Sequence, residues 1–184
     1  MAAPLHFTGN AEADELIGRD PLALLIGFVL DQQVTVQKAF HGPLDLERRL
    51  GRLDAAELAA LEPERLVEVF RERPALHRFP GSMAKRVQEV AAIVAGEYGG
   101  DAARIWREAA DGDDLRRRLE ALPGFGEMKV KALGAVLAKR FGVAAAEPLA
   151  PDHPTLGDVD SLEALEAYQS WKRGYKASLR AAGA

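Results

Sequence analysis

The chain contains no cysteine. That absence removes disulfides, thiolate zinc sites, iron–sulfur clusters and cysteine nucleophiles, and it fits a reducing compartment. Long apolar runs are missing as well: the most hydrophobic stretch, "LALLIGFVL" from Leu22 to Leu30, falls well short of the about 20 residues that a membrane-spanning helix needs. The amino terminus, "MAAPLHFTGNAEADEL", lacks the basic region that opens a signal peptide. A soluble, cytoplasmic protein with no membrane partner is expected. Alternating strand-like runs are nearly absent, so the fold is expected to be all-α. Positive charge is also short overall, because the net charge is −4, and this argues against a nucleic-acid binder, which usually presents a basic footprint.

What is present is enough for one sizeable core, or two small lobes sharing one, in a single unit over residues 1–184. Ala11 to Ile17 reads as a first helix, and Asp20 before Pro21 as an N-cap with proline at the first helical position. They open "PLALLIGFVLDQQ", apolar almost all round, the pattern of a helix buried at the centre of a bundle. "DQQVTVQKAFHGP" reads as an amide-rich loop, followed by short helices over Leu44 to Leu50, Asp54 to Leu61 and Pro63 to Phe70. After the loop "RPALHRFPGSM", Ser82 is the expected cap of a helix that "YGG" ends. The three prolines of "GVAAAEPLAPDHPTLGDVD" mark residues 144–160 as a linker loop, and Ser161 caps a closing helix over 161–182 that Gly174 should break or weaken.

Charge is not evenly spread. From Ala121 to Val143 four bases (Lys129, Lys131, Lys139, Arg140) stand against the single acid Glu127, and "WKRGYKASLR" adds Lys172, Arg173, Lys176 and Arg180 with no acid. Each run is compatible with a solvated helix face. Together they also suit a protein that meets DNA with one face.

The most informative stretch is "LPGFGEMKVKAL", Leu122 to Leu133. Leu115, Leu119 and Leu122 share one face of an upstream helix, and Val130, Leu133, Leu137 and Phe141 one face of a downstream helix. Pro123 stops the first helix, and Gly124 and Gly126 provide backbone that a Cβ would obstruct. The result is a hairpin at 115–141 whose tip leaves the N–H groups of Phe125 to Lys129 open to an anion such as phosphate, with Lys129 and Lys131 beside it. An ordinary pair of antiparallel helices, its glycines serving only as caps, accounts for the same spacing.

The order of "LLIGFVLDQQVTVQKA", "GSMAKRVQEVAAIVAGEYGGD" and "LRRRLEALPGFGEMKVKAL" over a core at 20–143 resembles the helix-hairpin-helix DNA glycosylases, the HhH-GPD superfamily, and its small bacterial members in particular. The resemblance implies a two-lobed helical fold, here with a reduced second lobe, that grips double-stranded DNA as a monomer and flips a damaged nucleotide from the stack. It assigns Gln33, with Gln32 beside it, to the hole left in the duplex, and Gly124, Phe125, Gly126, Met128, Lys129 and Lys131 to the DNA backbone. It implies no required cofactor and no metal in the protein's chemistry, and it admits a monovalent cation at the hairpin. The family's catalytic aspartate lies past the hairpin, where this chain reads "VAAAEPLA" with Glu147 and no aspartate. Asp152 in "APDHP" is the nearest acid of that type and the expected catalytic group, although an aspartate between prolines is also a common turn former. Bifunctional members place a nucleophilic lysine two residues after the second hairpin glycine, which here is Met128. Lys129, about 100° further round the helix, should then point away from the site and contact phosphate.

The function expected on these grounds is monofunctional base excision without lyase activity. A catalytically silent relative that senses distorted DNA is the alternative, and a helical module that binds protein through the hairpin is a third.

Overall fold

The computed structural model describes residues 4–183. Among them every regular element is a helix: α1 (Ala11–Arg19), α2 (Pro21–Leu30), α3 (Val36–Leu50), α4 (Ala55–Ala60), α5 (Pro63–Arg71), α6 (Pro80–Glu97), α7 (Arg104–Arg107), α8 (Gly112–Glu120), α9 (Glu127–Phe141) and α10 (Leu162–Ala182), with two 3-10 turns at Ala144–Leu149 and Leu156–Asp158. None of these helices is long and apolar enough to cross a membrane.

The helix starts follow local chemistry. Asp20 accepts from the N–H groups of Leu22 (2.9 Å) and Ala23 (3.4 Å), and Ser161 accepts from Ala164 (3.1 Å), so both expected caps are formed. From Leu22 to Leu30 every residue of α2 is buried. It crosses α3 where Gly27 faces Phe40, and a Cβ at Gly27 would enter that ring. Phe40 in turn meets Phe7 (centroids 5.1 Å) and Phe28 (5.0 Å) edge to face, which locks the α2/α3 crossing. The buried side chains of all these elements form one contiguous cluster.

Several sequence expectations change. α3 begins at Val36, capped by Thr35, and runs through Pro43, so most of the stretch read as an amide-rich loop is helix. Proline signals a break only when its surroundings cannot compensate; here Pro43 is buried in the core. α6 opens at Pro80, ahead of the cap expected at Ser82. Residues 144–160 are no bare linker, because Leu149 packs on Gly134, and Ala146, Leu156 and Val159 join the core. α10 passes through Gly174 unbroken.

The segment between α5 and α6 is held from α3. Arg49 donates to the carbonyls of Val69 (2.8 Å), Glu72 (2.9 Å) and Pro74 (2.6 Å), and Lys38 donates to that of Ala75 (2.7 Å). These charge-assisted bonds fix a stretch with no ladder of its own.

Gly27→Ala should destabilise the protein by about 1–3 kcal/mol through overpacking against Phe40. Gly174→Ala, where a Cβ meets open space, should stabilise it by up to about 1 kcal/mol. Urea denaturation followed by circular dichroism measures both.

Candidate functional site

The hairpin is formed. Phe125 N–H closes the turn onto the carbonyl of Leu122 (3.1 Å), and Gly124 sits at φ +82° where a Cβ would strike the Arg86 side chain, so glycine is needed there on both counts. Gly126 caps α9 with no side chain, and the first bond into the helix runs from Val130 N–H to its carbonyl. The N–H groups of Glu127, Met128 and Lys129 therefore open the helix without a capping side chain. Phe125 uses its N–H in the turn and its side chain is buried, so it shapes the hairpin from within. Lys131 pairs with Glu127 at 2.8 Å, one helical turn back, in an exposed pair.

Lys129 is the largest correction. Instead of pointing away, it lines a cavity of about 670 Å³ together with Met128, which is 74% exposed. Its ammonium lies 5.6 Å from the centre of the Phe125 ring. Counting from the second glycine misplaces the register, because α9 starts at Glu127 and its third residue, Lys129, is the one turned toward the end of α2.

Asp31, the first residue after α2, projects into the same cavity. Burial lifts its carboxyl above the usual carboxylate range, and the nearby ammonium groups of Lys172, Lys129 and Lys176 oppose that rise. Burial likewise pushes the Lys129 amine down to about 8, with Asp31 opposing. Asp152 is exposed on the loop after the first 3-10 turn; its neighbours Pro151 and His153 line the cavity and it does not. The carboxylate in the cleft is thus Asp31, not Asp152. A concavity of about 710 Å³ between the amino-terminal segment and Leu162 contains Asp14, but that carboxylate is occupied by the N–H groups of Phe7 and Thr8 and the Thr8 hydroxyl. Its chemistry is capping.

The far wall of the cavity is α10. Trp171 stacks on Tyr175 (centroids 5.1 Å, planes 12° apart) and on His153 (5.3 Å, 23°), and Tyr168 lies beneath. Burial, followed by the Asp31 carboxylate, pushes the Tyr168 hydroxyl up to about 12.

Beside the cavity, the chain turns at Gln32 and Gln33. The Gln32 amide donates to the Val29 carbonyl (3.1 Å), whereas Gln33 is exposed at φ +55°, a left-handed conformation uncommon for a residue with a Cβ. His77 holds this turn. Its Nε2 is 3.1 Å from the Leu30 carbonyl and 3.0 Å from that of Gln32, while its Nδ1 accepts from Phe79 N–H (3.0 Å). Both ring nitrogens are satisfied by a neutral Nε2–H imidazole, consistent with burial that lowers its pKa. This places Phe79, 40% exposed under the Arg78 guanidinium, on the segment bonded to the glutamine turn.

Among the described residues no cluster of His, Asp and Glu could hold a metal ion. Sequence reasoning missed Asp31, His77 and the aromatic wall. The spacing of Tyr168, Trp171, Tyr175 and Leu179 along α10 was the available signal for the last.

The family model described as "HhH-GPD superfamily base excision DNA repair protein" matches residues 26–179. No curated protein and no solved structure matches the chain.

Two stability measurements check this geometry. Since burial makes the ionised Asp31 unfavourable in the folded state, Asp31→Asn should raise Tm at neutral pH, and the gain should shrink in acid as the wild-type carboxyl becomes protonated. His77→Phe should cost about 1–3 kcal/mol by leaving the Gln32 carbonyl without a donor and that of Leu30 with only the Gln32 N–H. Because the folded-state pKa of His77 is lowered, its stabilisation is complete above its ordinary value of 6.5 and is lost as pH falls through the lowered one. The variant's Tm should therefore fall less steeply with acid over that window.

Proposed function

Because the chain belongs to the HhH-GPD superfamily of base excision DNA repair proteins, we propose that it is a monofunctional DNA glycosylase acting as a monomer on double-stranded DNA. The observation that carries this reading is the convergence of Asp31 and Lys129 on one cavity beside the hairpin. A nucleotide turned out of the duplex enters that cavity. As the N-glycosidic bond breaks, its electron pair leaves with the base and C1′ of the sugar becomes positively charged. An ionised Asp31 is a fixed counter-charge to that centre, stronger for the scarcity of water around it. Water then adds to C1′, its proton passes to the carboxylate and on to solvent, the departing base takes up a proton, and an intact abasic site remains.

The open N–H groups of Glu127 to Lys129 face a backbone phosphate. Gln33 fills the space the nucleotide leaves, and exposed Phe79 wedges the neighbouring step, with His77 bonded to Gln32 beside the one and to the N–H of the other. The carbonyls of Pro123 and Gly124 accept no backbone hydrogen bond and would hold a monovalent cation at the hairpin. No other cofactor enters this reading.

One specific observation favours a second reading. The Lys129 amine shares the cavity, and a neutral amine there attacks C1′ itself: the bond to the base breaks with its electron pair leaving on the base, which takes up a proton, the nitrogen loses a proton as the sugar ring opens to a Schiff base, and loss of a C2′ proton expels the 3′ phosphate and cuts the strand. Lys129 is mostly protonated at pH 7 and mostly neutral by about pH 9, so this chemistry would rise as pH passes through about 8.

An excision assay on duplexes carrying uracil, alkylated purines, oxidised bases or mismatches separates the readings. Hydrolysis predicts base release with no complex trapped by borohydride. It also predicts a loss of at least about 100-fold in Asp31→Asn, with Asp152→Asn close to wild type. A trapped complex that grows above pH 8 and disappears in Lys129→Ala selects the amine instead. Tight binding to distorted duplexes without release of any base selects the silent relative.

A further inference from the structure

α10 is a long helix held by little. Of its residues only Leu165, near the start, is buried, and from Arg173 to its end at Ala182 every residue is exposed. The other long helices, α3, α6 and α9, each bury six or more of theirs. Between the two ends of α10, Tyr168 packs partly against the core and half-buried Trp171 rests on His153 of the preceding loop.

Polar ties are as few. Among the described residues, the hydrogen bonds that join α10 to an earlier helix belong to one pair of amides: Gln169 Nε2 donates to Gln37 Oε1 (2.7 Å), and Gln37 Nε2 donates to Gln169 Oε1 (3.2 Å). Gln37 stands in the first turn of α3, just past the glutamine turn. Because each amide gives and accepts, the pair satisfies itself and is made or lost as a unit. It is half-buried, so water competes for both partners and the cost of parting them is modest. Lys172 and Lys176 add attraction toward Asp31 across the cavity, but they form no ion pair among the described residues, and a Coulomb pull without contact draws the helix inward without fixing it. A helix pinned at one end, fastened midway by one releasable pair and drawn toward a carboxylate is a hinged wall.

We propose that α10 is a gate over the cavity: it pivots about Leu165, the Gln37–Gln169 pair is its latch, and parting of the latch opens the cavity to solvent. Its use rests on the reading of the cavity as the reaction site, where a closed wall keeps water from Asp31 and Lys129 and an open one admits substrate. The motion itself requires no DNA.

The test therefore uses the full chain without DNA. Because the chain has no cysteine, Gln37→Cys with Gln169→Cys introduces its only two thiols. One preparation is then either capped with N-ethylmaleimide, which leaves the latch cut, or bridged by a short bis-maleimide, which holds it shut. The position of the gate is read at Lys129, which lines the cavity and whose amine, pushed down to about 8, reacts near that pH with N-acetoxysuccinimide. The nitrogen attacks the ester carbonyl, N-hydroxysuccinimide leaves, and the proton goes to buffer. Peptide mass spectrometry gives the rate, with Lys85 on α6, whose side chain is 78% exposed, as the reference. The capped protein should acetylate Lys129 about three- to tenfold faster than wild type, and the bridged protein more slowly than wild type, with Lys85 unchanged in both. Gln169→Ala, which cuts the latch while favouring the helix itself, should match the capped protein. Acrylamide quenching of Trp171 should follow the Lys129 rate, since the other tryptophan, Trp106, is 7% exposed. Equal Lys129 rates in the capped, bridged and wild-type proteins overturn the gate, and so does a rise at Lys129 accompanied by loss of helix in circular dichroism. Equal rates together with base release in the excision assay leave the glycosylase reading standing over a fixed wall. A moving α10 with no base released from any duplex keeps the gate and removes the glycosylase.

Discussion

The imidazole of His77, bonded to the carbonyls of Leu30 and Gln32, is the constraint on which the rest of the site depends. α2 is apolar on every side, so it has no side chain of its own with which to satisfy the backbone where it ends. The residues that follow it, Asp31 and Gln32, donate to the carbonyls of Phe28, Val29 and Leu30, and the donor for the Gln32 carbonyl itself comes from the segment that enters α6. One ring therefore couples two parts of the chain remote in sequence, fixes where α2 stops, and so sets the point at which Asp31 leaves the core. The uncommon backbone of Gln33 and the exposure of Phe79 follow from the same tether.

The cavity gathers groups that a core would not tolerate. Asp31 and Lys129 are each disfavoured in their charged forms by burial, and each relieves the other in part. A carboxylate and an amine held in this way sit closer to neutral pH in their titration than either would in water, the usual condition for proton transfer or nucleophilic chemistry. Stability is given up here; the compensation lies in the fully buried α2 and the Phe7, Phe28 and Phe40 cluster on its flank.

Much of the fold was legible because its signals are local. Asp20 with Pro21, Ser161, and the leucine spacing around Pro123 act through neighbours a few residues away, and each is found where its chemistry puts it. Failures came where distant packing outweighs local preference. Pro43 does not end α3, and three prolines do not keep 144–160 off the core. In the site, the hairpin and the glutamine turn could be read from sequence. The catalytic candidate could not: Asp31 becomes distinctive only when α9 and α10, about a hundred residues away or more, close over it. Lys129 was misread for a related reason, since counting from a glycine fixes an angle only once the first helical residue is known.

Arg49 and Lys38 carry an implication for how this protein can vary. Between them they hold the carbonyls of Val69, Glu72, Pro74 and Ala75, so the few residues that lead to His77 hang from α3 by fixed lengths of side chain. Adding or removing one residue there would shift His77 off the end of α2 while leaving most of the hydrophobic core in place. Such a chain would still fold, yet its glutamine turn and Asp31 would lose their reference point. Loop length between α5 and α6 is therefore a determinant of the geometry around the cavity, and a splice, tag or permutation point placed in it would separate the fold from the site.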